Sequence, residues 1–64
     1  MKITVKGTNR VAEFSGNWRV SQILSEMDLN PETVIVVKEG RILTHDQIVK
    51  EEEQIEIISV VSGG

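Results

Sequence analysis

Ile55-Glu56-Ile57-Ile58-Ser59-Val60-Val61, followed at once by Ser62-Gly63-Gly64, is the stretch on which the reading of this chain turns. Its β-branched residues and alternating start predict a strand. Ile55 and Ile57 share one face of that strand, while Glu56, Ile58 and Val60 share the other. If the first face meets a core, Ile58 and Val60 are left outward, and exposed apolar groups of this kind mark interfaces. A bulge that turns them back into the core is the alternative. Ile58, Val60 and Val61 are therefore the candidates for contacting a partner. The glycines have nothing to pack, so residues 62–64 are expected to form an extended, mobile tail.

Working outward from that strand, the segment Thr44 to Lys50 reads as polar and irregular. Arg41-Ile42-Leu43 reads as a short return strand after Glu39-Gly40. Val34-Ile35-Val36-Val37 is a continuous apolar run, too short for a helix between its breakers, and predicts a central strand covered on both faces. Before it, Val20, Ile23, Leu24 and Met27 fall at i, i+3, i+4 and i+7, one stripe of an amphipathic helix. Asn17 is the expected cap of that helix and Asn30-Pro31 its stop. Ile3 and Val5 alternate with Lys2, Thr4 and Lys6. Gly7-Thr8-Asn9 supplies turn chemistry, and Val11, Ala12 and Phe14 read as the second strand of a hairpin. Two groups of strands around one helix predict an α+β fold, a mixed sheet of four to five strands packed on that helix. One domain over residues 1–61, with the tail at 62–64, accounts for the whole chain.

Composition narrows the function. A chain of 64 residues holds one small core and has no room for a deep catalytic cavity. Seven basic against ten acidic residues leave a net charge of -3, which counts against phosphate-driven binding of nucleic acid. Without cysteine there is no disulfide, thiolate zinc site or Cys nucleophile. The N-terminus lacks the basic-then-apolar block of a signal peptide, and no apolar stretch approaches the ~20 residues that span a membrane. A soluble, cytoplasmic protein is expected.

Few side chains offer chemistry of their own. Thr44-His45-Asp46 contains the sole histidine, but sequence neighbours in a turn do not make a base held between two partners. Glu51-Glu52-Glu53 lacks the alternating ligands and sharp-turn glycine of a calcium loop, so a solvated acidic turn is expected and no metal. Met27 reads as core filler and Trp18 as a cover on the core edge. Gly63-Gly64 differs in kind. At the average glycine frequency of ~7%, two would end a chain by chance about once in two hundred sequences. An expression scar or a merely flexible end would make their place after an unbroken strand a coincidence. Without Cβ atoms they can thread a narrow channel and present a carboxylate to an activating site.

Order and tail together carry a resemblance. Met1-Lys2-Ile3-Thr4-Val5, Val20 with Ile23-Leu24, Leu29-Asn30-Pro31-Glu32-Thr33-Val34, Val36-Val37-Lys38-Glu39-Gly40-Arg41, and Ile55-Glu56-Ile57 through Gly63-Gly64 resemble the ubiquitin-like β-grasp sulfur carriers and small protein modifiers. Leu29 to Gly40 looks most like the archaeal small modifiers. Two departures concern loops. Glu52-Glu53 stands where many sulfur carriers have Gly-Asp, so that turn must avoid positive φ or accept strain, and Arg19 stands where relatives often carry a capping Thr.

The resemblance implies that the chain is a substrate and carrier, not an enzyme. An E1-like adenylyltransferase, using its own ATP and magnesium, would convert the Gly64 carboxylate into an acyl-adenylate, with Gly63 and Ser62 threading the partner's active site. A sulfur donor would then give a Gly64 thiocarboxylate for tRNA thiolation, molybdopterin or thiamine synthesis. Alternatively a lysine of a target protein would attack to leave an isopeptide bond. A passive β-grasp interaction module is the third reading, and it leaves the tail without a purpose.

Overall fold

The computed structural model describes residues 1–8 and 10–60. The first alternating segment forms β1, Lys2–Val5, with Ile3 and Val5 buried. Gly7, at φ 91°, helps turn the chain into β2, Arg10–Glu13, which runs antiparallel to β1. Phe14 falls just after this strand. Val11 sits opposite Thr4, on the side of the sheet the helix does not cover, and is therefore exposed.

β3, Trp18–Arg19, leads into α1, Val20–Glu26, whose stripe of Val20, Ile23 and Leu24 is buried as its spacing predicts, with Met27 buried at its C-cap. The cap differs from the expected one. Arg19 is the N-cap residue, and its N–H donates to Gln22 Oε1 at 3.1 Å. Asn17 works elsewhere, its Oδ1 accepting the Glu51 N–H at 3.0 Å. The helix also stops before Asn30-Pro31 is reached. The Leu29 N–H returns to the Leu24 carbonyl and the Asp28 N–H to that of Ser25, with Asp28 at φ 58°. This is a Schellman ending, with aspartate in the left-handed position that glycine usually holds.

β4, Val34–Lys38, and β5, Arg41–Leu43, form a hairpin in which Lys38 faces Arg41. Glu39 and Gly40 close it with φ of 50° and 78°, the twist a two-residue turn between right-twisted strands requires. β6, Ile48–Val49, pairs with β3 in a two-stranded ladder. This corrects the expectation that Thr44 to Lys50 is irregular: Val49 is fully buried opposite Trp18. Two apolar residues among polar ones carry no periodicity, so only the tertiary ladder defines them. β7, Gln54–Ser59, completes the main sheet.

The sheet order is β2-β1-β7-β4-β5, with β1 and β7 parallel and the other neighbours antiparallel. One helix and a mixed five-stranded sheet make this the ubiquitin-like β-grasp that the resemblance implied. A seven-residue helix covers one face of such a sheet, not two. β4 is accordingly central in order but covered on one side only. Val34 and Val36 are buried, whereas Ile35 and Val37 lie half-buried on the open face, a correction to the two-sided burial expected of that run. Trp18 does cover the core edge. It meets Phe14 edge-on with ring centroids 4.6 Å apart, and its indole N–H donates to the Ser15 carbonyl at 2.8 Å.

Candidate functional site

β7 separates two environments. Ile55 and Ile57 point into the core, at 3% and 0% exposure. Glu56 and Ile58 point to the open face, where Ile58 lies opposite Ile35 and Glu56 opposite Val37. The ladder to β4 runs without interruption from Val37–Glu56 to Val34–Ser59, and the Val60 N–H extends it by donating to the Thr33 carbonyl at 2.9 Å. No bulge turns the outer residues inward. Ile58 is half-buried by its neighbours and Val60 is 56% exposed, as the outward reading expects. Val61, Ser62, Gly63 and Gly64, the other residues expected to meet or enter a partner, lie outside the described residues.

Around Ile58 the open face gathers apolar residues that the sequence reading did not single out. Ile35 is its cross-strand neighbour, and Val37 stands one step further along β4, facing Ile42 of β5, which is 66% exposed. The signal was present in the chain: a strand beside a single helix keeps only alternate residues in the core, so half of Val34–Val37 had to face outward. Lys6 bounds this patch on the β1 side, its Nζ 3.2 Å from Glu56 Oε2. The patch thus borders charged groups on one flank and lies at the end of the sheet where β7 runs into the C-terminal segment.

The other candidate groups are built into loops. The Thr44 hydroxyl donates to Asp46 Oδ1 at 2.6 Å, and this bond, foremost, holds the Asp46 carboxyl below the usual aspartate range. His45 contributes its carbonyl, which accepts the Ser21 N–H at 3.0 Å. His45 thus ties this loop to the start of α1, while the Thr44–Asp46 bond shapes the loop itself. Among the described residues no cluster of His, Asp and Glu is arranged to hold a metal ion.

Glu51-Glu52-Glu53 is more than a solvated run. Glu51 Oε1 accepts the Gly16 N–H at 3.0 Å, tying the β6–β7 turn to the loop after β2. Glu53 accepts from Lys38 Nζ and, at 2.8 Å, from the Lys50 N–H, and the lysine bond is the main reason its carboxyl sits below the usual glutamate range. Residues 50–54 show no positive φ, so the turn manages without glycine by the first of the two routes the sequence allowed.

No helix among the described residues is long and apolar enough to cross a membrane. The chain is 42% identical over 52 residues to Sulfur carrier protein TtuB of Thermus thermophilus, covering 81% of this chain and 80% of that protein. It is 39% identical over 46 residues to an uncharacterized protein of Archaeoglobus fulgidus, covering 72% of this chain and 67% of that one. The family model described as Small archaeal modifier protein 2 matches residues 1–61. With the β-grasp fold and an open apolar face beside the last strand, the chain belongs to this family of ubiquitin-like sulfur carriers and small modifiers.

Proposed function

We propose that the chain is a sulfur carrier whose Gly64 carboxylate is activated by an E1-like adenylyltransferase docked on the open face around Ile58 and Val60. The similarity to a protein named as a sulfur carrier, over four fifths of both chains, carries this reading. The carboxylate attacks the α-phosphorus of ATP bound with magnesium by the partner, and pyrophosphate leaves. The terminal sulfur of a donor enzyme's persulfide then displaces AMP to give an acyl disulfide, and a partner thiol attacks the donor-side sulfur, forming a disulfide with the donor and releasing a thiocarboxylate, which serves tRNA thiolation, molybdopterin or thiamine synthesis in the cytoplasm. The chain itself supplies the reactive carboxylate and the docking face, and nucleotide, metal and catalytic cysteine belong to the partner.

A second outcome of the same acyl-adenylate is transfer to a lysine of a target protein. Membership of a small-modifier family favours keeping it. ATP–pyrophosphate exchange with the cognate activating enzyme tests the shared step. It should be lost when Gly64 is deleted or the chain extended beyond it, and equal exchange rates would overturn the proposal. The fate of the carboxylate is read from the tryptic peptide Glu51–Gly64, which contains no methionine whose oxidation could mimic the replacement of oxygen by sulfur. A thiocarboxylate on that peptide marks the carrier, and the same peptide branched from a target lysine marks the modifier.

A further inference from the structure

The two edges of the main sheet, β5 and β2, are finished differently. At β5 the pair that closes the hairpin, Lys38 and Arg41, turns the backbone groups of Arg41 and Leu43 toward β4, so Ile42 and Thr44 turn theirs outward. Gln47 occupies both groups of Thr44. Its Oε1 accepts the Thr44 N–H at 2.7 Å, and its own N–H donates to the Thr44 carbonyl at 3.2 Å. Beyond Ile42 this edge is covered, one of the ways in which sheets avoid joining other chains.

β2 has no such cover. The Met1 amine donates to the Phe14 carbonyl at 2.9 Å and the Phe14 N–H to the Met1 carbonyl at 3.0 Å, which sets the phase of the β1–β2 ladder. Counting back from Phe14, Ala12 and Arg10 turn their backbone groups toward β1, and Val11 and Glu13 turn theirs outward. Among the described residues nothing meets these outward groups. The Val11 side chain, 55% exposed, stands beside them.

An open edge of this kind takes an added strand, and β2 is complementary to itself. A symmetric antiparallel pair must match outward residues with outward residues. Centring it on Arg10 or on Glu13 sets like charges face to face, which is destabilising. Centring it on Val11 joins only that residue of β2 to its copy. Centring it on Ala12 sets Val11 opposite Glu13 of the second copy on both sides of the axis and uses every outward group of the strand. The Ala12 methyl suits the close approach of side chains at such a centre. Lys2, opposite Glu13 on β1, offsets the diagonal approach of the two Glu13 carboxylates.

We propose that β2 is a self-pairing edge, on which two copies of the chain join antiparallel about Ala12 into one continuous sheet. The twofold axis then stands perpendicular to the sheet, so both open faces lie on one side and both helices on the other. β1 separates β2 from β7, and Ile58 and Val60 stay uncovered in both copies. The pair offers a partner two docking faces at once. Backbone bonds with little apolar area make the contact a weak one, at the low end of interface sizes. The inference holds whether or not Gly64 is activated.

The test is sedimentation of the full chain from about 1 μM to about 1 mM, with NMR spectra recorded over the same dilution series. Monomer should give way to dimer as concentration rises, and the amides of Val11 and Glu13 should shift with it. Val11→Lys places an ammonium opposite Glu13 of the second copy and should tighten the dimer by about threefold, whereas Val11→Glu opposes carboxylates on both sides of the axis and should weaken it by about tenfold. Circular dichroism confirms that each variant is folded. Ile48→Lys and Ile48→Glu make the same changes in net charge at a residue 51% exposed and outside the main sheet, and they should move the dimer far less. A chain that stays monomeric throughout the range would overturn the inference. So would Val11→Lys and Val11→Glu acting in the same direction, Ile48 substitutions of equal effect, or shifts gathered at Ile42 or Ile58 instead of at Val11 and Glu13.

Discussion

Ile57 and Ile58 are adjacent in β7, identical in side chain, and opposite in surroundings. Ile57 is fully buried between the sheet and the helix, against the row formed by Val5 and Val36. Ile58 looks out over the open face with Ile35 beside it. Area-based hydrophobic stabilisation rewards the first more than the half-buried second. Residues on the core face answer to the fold. Apolar residues on the open face gain little from the fold and expose themselves to water, which makes a partner surface the economical explanation of the patch. The strand serves both purposes because its side-chain period is two.

The comparison is broken most severely on the core side. A domain of this size has a stability of roughly 3–10 kcal/mol at 0.05–0.15 kcal/mol per residue. Ile57→Ala removes a fully buried side chain and should cost about 2–5 kcal/mol, the range for such truncations, so Ile57→Asp should leave no folded population. Denaturant unfolding of the alanine variant and circular dichroism of the aspartate variant check this. A folded Ile57→Asp chain would mean that the core around β7 is far looser than its burial implies.

On the open side the same charge should spare the fold and damage docking. Val60→Asp is the cleaner variant because more than half of the residue is exposed, and Ile58→Asp is expected to add a modest loss of stability because it is half-buried. Both should weaken binding to the activating enzyme by about tenfold or more, that is at least ~1.4 kcal/mol, while Val60→Asp melts within a few degrees of the wild type. Unfolding and exchange kinetics are measured on the same samples. Unchanged affinity in a folded Val60→Asp chain would remove Val60 from the docking face.

The asymmetry of β7 was legible in the sequence because the alternation Ile55-Glu56-Ile57 states it directly. The helix stripe was equally plain. β4 misled because a run of four apolar residues looks the same whether its second face meets a helix or a partner, and only the count of helices separates the cases. Val49 could not be read, since its burial comes from pairing with Trp18 across thirty residues of chain. The loop contacts were hidden for the same reason. Asn17 is a good cap by type, but its acceptor is taken by Glu51, and the helix start is satisfied by Gln22. The proposed activation residues, Gly63 and Gly64, are legible as sequence and lie outside the described residues.

A third prediction concerns the turn that launches β7 between its two faces. Glu53 is held below its ordinary value, near 4.5, chiefly by the Lys38 bond and then by the Lys50 N–H. A carboxyl depressed in the folded state adds stability above its unfolded pKa and loses it as pH falls through the folded one. The wild type should therefore lose stability on acidification below about pH 4.5 more steeply than Glu53→Gln, and Glu53→Gln should be the less stable of the two at neutral pH. Unfolding curves measured at intervals from pH 7 to pH 3 check both statements. Parallel pH dependence in the two chains would show that Glu53 is not a clamp between β4 and the turn.

The smallest expected effect lies on the helix side, remote from the open face, and it sharpens the distinction because stability should rise there while docking stays still. Asp28 holds the left-handed position of the Schellman ending at φ 58°. A side chain with a Cβ is strained in that conformation, less for aspartate than for most residues, and glycine is not. Asp28→Gly relieves that strain and loosens the unfolded chain, two effects of opposite sign, and the relief should win by about 0.5–1 kcal/mol. For a domain of 60–100 residues that corresponds to a rise in Tm of a few degrees. The backbone bonds of Leu29 to Leu24 and Asp28 to Ser25 persist, since neither uses the aspartate side chain. Thermal unfolding and ATP–pyrophosphate exchange on the same preparation should show a higher Tm with unchanged kcat/KM. A lower Tm would mean that the aspartate carboxylate contributes more at the end of α1 than its backbone conformation costs. A changed kcat/KM would mean that the two faces of the sheet are coupled through the core.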